Sequence, residues 1–187
     1  MILFLALILL LGSCYFGYNY FKIEIKSRVA QVLMQYAWHK SIKTGLDQKP
    51  WKSFDGVPIF RLRKKEHNVD QIVLSGNWGQ SLAFGPAFHQ ESNLPGDGGA
   101  TILSSHRDSH GVFIKNLQKG NVIEIQDRSK QWHTYIVENF NIININRDKI
   151  IKTGSKEALL IVTCYPFDAL RVGTPLRYIV FANLKSS

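Results

Sequence analysis

Two cysteines in 187 residues are too few for a disulfide framework. Cys14 lies in an apolar segment and Cys164 in the body of the chain, so a bridge would require the first to reach the second. No CxxC pair is present. The one i, i+4 histidine pair, His106 and His110, follows the strand-like ATILSS rather than a helix, so no zinc site is expected. Glu91 and Asp97 are too few acids to predict a calcium loop. No metal and no cofactor are expected. Acidic residues are the scarcer sign, 14 against 23 basic, for a net charge of +9. Such a surplus fits nucleic acid, anionic lipid or an acidic envelope polymer. The basic residues are scattered, with only a modest cluster from Arg61 to Lys65, and no nucleic-acid module is present, so the charge reads as a solvated surface without a nucleic-acid partner. Repeats and low-complexity tracts are also absent. With 45% hydrophobic and 20% charged residues, a largely disordered chain is excluded.

After the first 21 residues there is no long apolar run. Met1 to Phe21 contains no Lys, Arg, Asp or Glu, and about 20 such residues cross a hydrocarbon core. A membrane anchor or signal-anchor is therefore expected over 1–22, with the Tyr and Phe cluster at its far end suiting the interface. Lys22, Lys26 and Arg28 follow it and no basic residue precedes it, which on charge alone disfavours an outward domain. LGSC, ending at Cys14, also has the form of a lipoprotein-type cleavage site, though a basic leader is missing. Residues 23–50 read as a juxtamembrane helix and linker. Val29, Val32, Leu33, Tyr36 and Ala37 fall close to helical spacing and suit a helix packed on the domain, and Gly45 to Pro50 forms the linker.

The remainder, 51–187, turns to short strand-like runs: Val57 to Arg63, Gln71 to Leu74, Ala100 to Ser104, Val122 to Gln126, Trp132 to Ile143, Leu159 to Cys164 and Leu176 to Leu184. Gly and polar residues separate them and helical stretches are brief. Seven such runs in one domain of this size predict a mostly β fold, a closed or nearly closed barrel.

The run LLIVTCYPF carries the chemistry. Aliphatic residues end abruptly at Cys164, so the thiol leaves a buried strand held rigidly yet able to face a groove. RYIVFA opens with Arg177, which can set a fixed positive charge beside it. GATILSSHRD places His106 at the end of another apolar run. A cysteine nucleophile, a histidine acid–base and an arginine for a developing oxyanion form a coherent set. Other residues read as structural: His89 in a loop, His133 in an alternating strand, His110 solvated and Asp108 capping a turn.

In order and spacing these segments resemble the sortases, cysteine transpeptidases. Leu160, Val162, Thr163 and Cys164 correspond to their TLxTC motif, with a departure in side-chain type at Val162. LPGDGGATILSSHRD is similar to the segment leading into the sortase histidine, and FIKNLQKGNVIEI to the turn and strand after it. The resemblance runs from about Trp51 to Leu184. The CYPFDAL link and a short, charged helix ending in AWHKS are most similar to the Gram-negative, marine proteobacterial class.

The resemblance implies an eight-stranded barrel, with the eighth strand around Gly85 to His89. It implies that Cys164 attacks a C-terminal sorting signal to form a thioester, that His106 moves the proton, and that Arg177 holds the substrate backbone and the oxyanion. Thr163 and Asp168 are candidate substrate contacts, each with an equal claim to a packing or turn role. The partners implied are a sorting-signal-bearing surface protein, an amine nucleophile and the membrane. The location implied is the inner membrane, single-pass, with the domain on the periplasmic side. A cysteine hydrolase of the same fold and a non-catalytic barrel binding module with a structural cysteine remain open at this point.

Overall fold

The computed structural model describes the backbone of residues 2–76, 79–148, 157–169 and 173–185, and their side chains except at 2, 3, 5–8, 11, 14 and 19–24. Cys14 and Arg171 therefore lie outside the described side chains. Eight strands form: β1 (Pro58–Lys64), β2 (Val69–Ser75), β3 (Ala87–Phe88), β4 (Ala100–Ser104), β5 (Val122–Gln126), β6 (Trp132–Asn144), β7 (Ala158–Cys164) and β8 (Leu176–Leu184). They close into a barrel in the order β1-β2-β3-β4-β7-β8-β6-β5. Three of the seven runs read from sequence, β4, β5 and β8, match at both ends, and the others shift by one or two residues. β3 falls in the window taken from the resemblance. It has only two residues, pairing parallel to β2 and antiparallel to β4, too short for any alternation to show in the sequence.

The interior is filled by alternate residues of the strands, among them Leu62, Val73, Leu103, Ile123, Ile125, Tyr135, Leu159, Ile161 and Val180. β4 and β7 pair in parallel. The outward residues Ile102, Leu160 and Val162 form a second buried cluster with Ile143 and Ile179. Burial on both faces is why LLIV reads as a continuous aliphatic run.

Before the barrel the chain is one helix, α1 (Ile2–Thr44). The expected anchor segment and juxtamembrane helix run as one helix, and the helix ending in AWHKS is long rather than short. No Gly or Pro lies between Tyr18 and Thr44 to interrupt it. Gly45, at φ 72°, ends it in the left-handed conformation, its N–H returning to the Ser41 carbonyl. Among the described residues, no helix is long and apolar enough to cross a membrane. Most side chains of the expected anchor, 1–22, lie outside the described set.

The second half of α1 does pack on the barrel, but through a different face from the one the spacing suggested. Ala30, Met34 and Trp38 are buried against Phe54, Ile72 and Leu74, and Gln31 Nε2 donates to the Phe84 carbonyl of the short helix α2 (Gln80–Phe84) at 2.9 Å. Ala37 is buried with them, whereas Val29, Val32 and Tyr36 are exposed. At 100° per residue the two sets lie on opposite sides of one helix. A search for a single apolar stripe merges them.

Candidate active site

β4 and β7 deliver the two candidate reactive residues, His106 and Cys164, from adjacent parallel strands. Ser104 pairs with Val162, so His106 and Cys164 each stand two residues beyond the same rung. Between them, Thr163 Oγ1 donates to the Ser105 carbonyl at 2.8 Å, fully buried, and Ser105 N–H donates to the Val162 carbonyl at 3.0 Å. These bonds tie the two strand exits together. The Thr163 hydroxyl is thus engaged with backbone, which favours the structural side of its expected role.

Arg177 is placed by register. In the antiparallel β7–β8 pair Cys164 stands directly opposite Arg177, and such partners project to the same face with Cβ atoms about 5 Å apart. Arg177 Nη1 donates to the carbonyls of Thr174 and Leu176. Cys164 and Arg177 are half-buried and His106 is exposed. All three line one cleft of about 430 Å³, completed by Leu82, His89, Ser104, Ser105, Ile145, Val162 and Thr163. A second, smaller cleft of about 120 Å³ meets Cys164 and His106 from another side, between Arg107, Asp108 and Gly173. Sequence reasoning therefore brought together three residues that the fold brings together. Asp168 is exposed on the turn after Cys164 and, among the described residues, is not on either cleft wall.

The loop carrying His106 is held closed. Gly111 N–H donates to the His106 carbonyl at 2.8 Å. A Cβ at Gly111 would stand 2.7 Å from that oxygen, so only glycine closes this turn undistorted. Gln71 Nε2 donates to the His110 carbonyl from β2 at 3.0 Å. Arg107, which the sequence reading passed over, joins this loop to the other. Its side chain is 5% exposed, and it donates from Nη1 to the Pro166 carbonyl at 2.6 Å and from Nη2 to the Ala169 carbonyl. Its Nε faces the Asp108 carboxylate. Asp108 therefore pairs with its neighbour rather than capping the turn. Tyr165 and Phe167, packed edge-to-face on each other and both against Tyr178, fix the same link from the aromatic side. Only one signal in the sequence pointed to Arg107, an arginine directly after the candidate histidine.

Two further histidines depart from expectation. His89 is a wall residue of the larger cleft, its Nε2 2.6 Å from Ser104 Oγ, and burial pushes its pKa down. His110 is half-buried rather than solvated. Burial lowers its pKa first, and proximity to His106 lowers it further. His133 is structural, buried with its Nε2 2.9 Å from Asp127 Oδ2.

Comparison with known proteins agrees with this architecture. The family model described as the sortase domain matches residues 63–185. A curated relative, sortase D of Bacillus subtilis (strain 168), is 28% identical over 117 residues. The match covers 62% of this chain and 58% of the relative, so the chain spans under two thirds of that protein's length. Among solved structures, a sortase D5 transpeptidase of Clostridium perfringens superposes with a TM-score of 0.64 at 17% identity, covering 86% of this chain and 98% of that one. Sortase C-1 of Actinomyces oris gives 0.60 at 20% identity over 70% and 75%. A Clostridium perfringens sortase C, solved with its C-terminal cell wall sorting motif, gives 0.60 at 16% identity over 87% and 90%. At these identities the superpositions show the fold, and with the domain match over about two thirds of its length the chain belongs to the sortase family.

Proposed function

We propose that this chain is a membrane-anchored cysteine transpeptidase that cleaves a sorting signal near the C-terminus of a surface protein and transfers that protein to an amine. The carrying observation is the register. Cys164 stands opposite Arg177, and His106 leaves the strand beside it two residues past a shared rung, so nucleophile, acid–base and cation converge on one cleft wall.

In the first half-reaction the Cys164 thiolate attacks the scissile carbonyl, and Arg177 faces the oxyanion that forms. The tetrahedral species collapses to a thioester as the C–N bond breaks, and His106 gives its proton to the departing amine. In the second half-reaction the neutral His106 takes a proton from the incoming amine. The amine attacks the thioester and the Cys164 thiolate leaves. The two clefts meeting at Cys164 fit this order, the larger with its aliphatic walls for the signal peptide and the smaller for the acceptor. The neighbour solved with a cell wall sorting motif supports the peptide assignment.

The anchor over 1–22, the inner-membrane location and the periplasmic domain are part of the same proposal. They rest on the absence of charge in Met1 to Phe21 and on the unbroken helix joining that segment to the barrel. The Gram-negative class rests on the CYPFDAL link alone, since the short helix that accompanied it is replaced by a long one.

The test is incubation of the full chain with a candidate sorting-signal peptide, with hydroxylamine as thioester trap and mass spectrometry of the products. Wild type is expected to give the hydroxamate, and Cys164→Ala to give none. Cleavage that persists in Cys164→Ala would sink the reading. Products containing only water, whatever amine is supplied, would replace transfer by hydrolysis.

A further inference from the structure

We propose that Ser104, oriented by His89, is a specificity-determining residue of the larger cleft, selecting a hydroxyl or carboxamide side chain next to the scissile bond of the signal. The inference rests on the transpeptidase reading above and extends it to the chemistry of the peptide. Ser104 shares the outward face of β4 with Ile102, and its rung partner Val162 shares that of β7 with Cys164. Two residues along a strand cover about 6.6 Å and neighbouring strands lie about 4.8 Å apart, so by those spacings Ser104 stands about 8 Å from Cys164, backbone to backbone. An extended peptide advances about 3.3 Å per residue. A peptide whose carbonyl meets Cys164 therefore brings to Ser104 a side chain within one or two residues of the cut.

The rest of that wall is apolar or already committed. Leu82, Ile145 and Val162 are aliphatic, and Thr163 Oγ1 is given to the Ser105 carbonyl. Ser105 is 5% exposed, its Oγ 3.1 Å from where a Cβ on Gly111 would stand, turned to the histidine loop. Ser104 Oγ lies 2.6 Å from His89 Nε2, and this is its one side-chain bond among the described residues. A hydroxyl has one proton and two lone pairs. If Nε2–H donates, the Ser104 proton remains for the substrate; if Nε2 accepts that proton, the lone pairs remain. The pair thus meets either half of a group that both donates and accepts, as hydroxyls and carboxamides do and hydrocarbons and carboxylates do not. His89 is set rigidly for this. Its N–H donates to the Ile102 carbonyl at 3.0 Å, and its own carbonyl accepts from Ser92 N–H at 2.9 Å and from Ser92 Oγ at 2.6 Å. Burial holds the ring below its ordinary pKa, which keeps it in the neutral form that has both tautomers.

The experiment incubates the full chain with a randomised peptide pool, and mass spectrometry reads the residues around each cut. Ser, Thr, Asn or Gln is expected to be enriched at one position within two residues of it. Two matched peptides then differ only there, Asn against the near-isosteric Leu. Wild type should cut the Asn peptide about three- to tenfold better in kcat/KM, the size of one neutral hydrogen bond. Ser104→Ala and His89→Leu should each bring that ratio to near one, whereas Ser104→Thr keeps most of it and His89→Gln restores part. A packing role alone would lower both peptides together and leave the ratio intact. That result, or equal cutting of the two peptides by wild type, would overturn the assignment. No cut anywhere in the pool would instead overturn the transpeptidase reading on which it rests.

Discussion

Two arginines share clefts with the Cys164 thiol, and they are held in opposite ways. Arg107 is buried, and its guanidinium is committed to the carbonyls of Pro166 and Ala169 and to Asp108. Arg177 is half-buried on the cleft wall, and among the described residues both of its hydrogen bonds leave from a single nitrogen, Nη1. One is enclosed and consumed by backbone. The other lines a cleft of about 430 Å³. The same side chain therefore clamps two loops in one place and lines an open cleft in the other, and the difference is set by burial and by strand register rather than by residue type.

The sharpest way to break this comparison is at Arg177. Lysine keeps the charge but loses the planar fork, so Arg177→Lys is expected to lower the rate of peptide cleavage by about 10²-fold to 10³-fold with little change in thermal unfolding. Arg147→Lys, exposed and on neither cleft wall, should retain full rate. A variant at Arg177 that cleaves normally would remove it from the oxyanion role.

Arg107→Ala reverses the pattern. It strands two backbone carbonyls and releases the link after Cys164, so unfolding stability should fall by about 2–3 kcal/mol, and the rate should fall with it as the two loops separate. Arg107→Lys should restore part of the stability. If Arg107→Ala lowers activity without affecting the melt, the two arginines are alike and the contrast fails.

A smaller effect is expected one turn along the same loop. The pKa of His110 is lowered by burial, so the unfolded chain takes up a proton first. Its contribution to stability is complete above the unfolded pKa of about 6.5 and is lost as pH falls below it, towards the folded pKa. His110→Gln should therefore make the acid-side loss of stability shallower, measured by denaturant unfolding between about pH 7.5 and pH 5. An unchanged slope would mean that His110 is solvated after all.

Much of the site was legible because its residues end apolar runs. Cys164, His106 and Arg177 each sit where a buried strand meets polar sequence, and hydrophobic patterning marks those junctions clearly. Contacts between loops were not legible. The bonds from Arg107 to Pro166 and Ala169 span about sixty positions and leave no local trace. His89 reads as a loop residue because the strand before it has two members. The barrel was predicted for the same reason the site was, through alternation in β5 and β6 and continuous burial in β7. α1 misled the reading because two apolar faces superposed on one helix give no clear stripe.

The parallel pairing of β4 with β7 has a consequence for how such an enzyme can be altered. Because His106 and Cys164 are counted from one rung, their separation depends on strand spacing and not on the fifty-odd residues between them. Intervening turns and hairpins can change length or be exchanged for those of a relative without shifting the phase of either residue, provided the strand ends and the Thr163–Ser105 bond are kept. In the proposed transpeptidase, recognition and reaction are thereby separable. Grafting loops around the clefts should redirect which peptide is cut while the bond-breaking step is inherited intact.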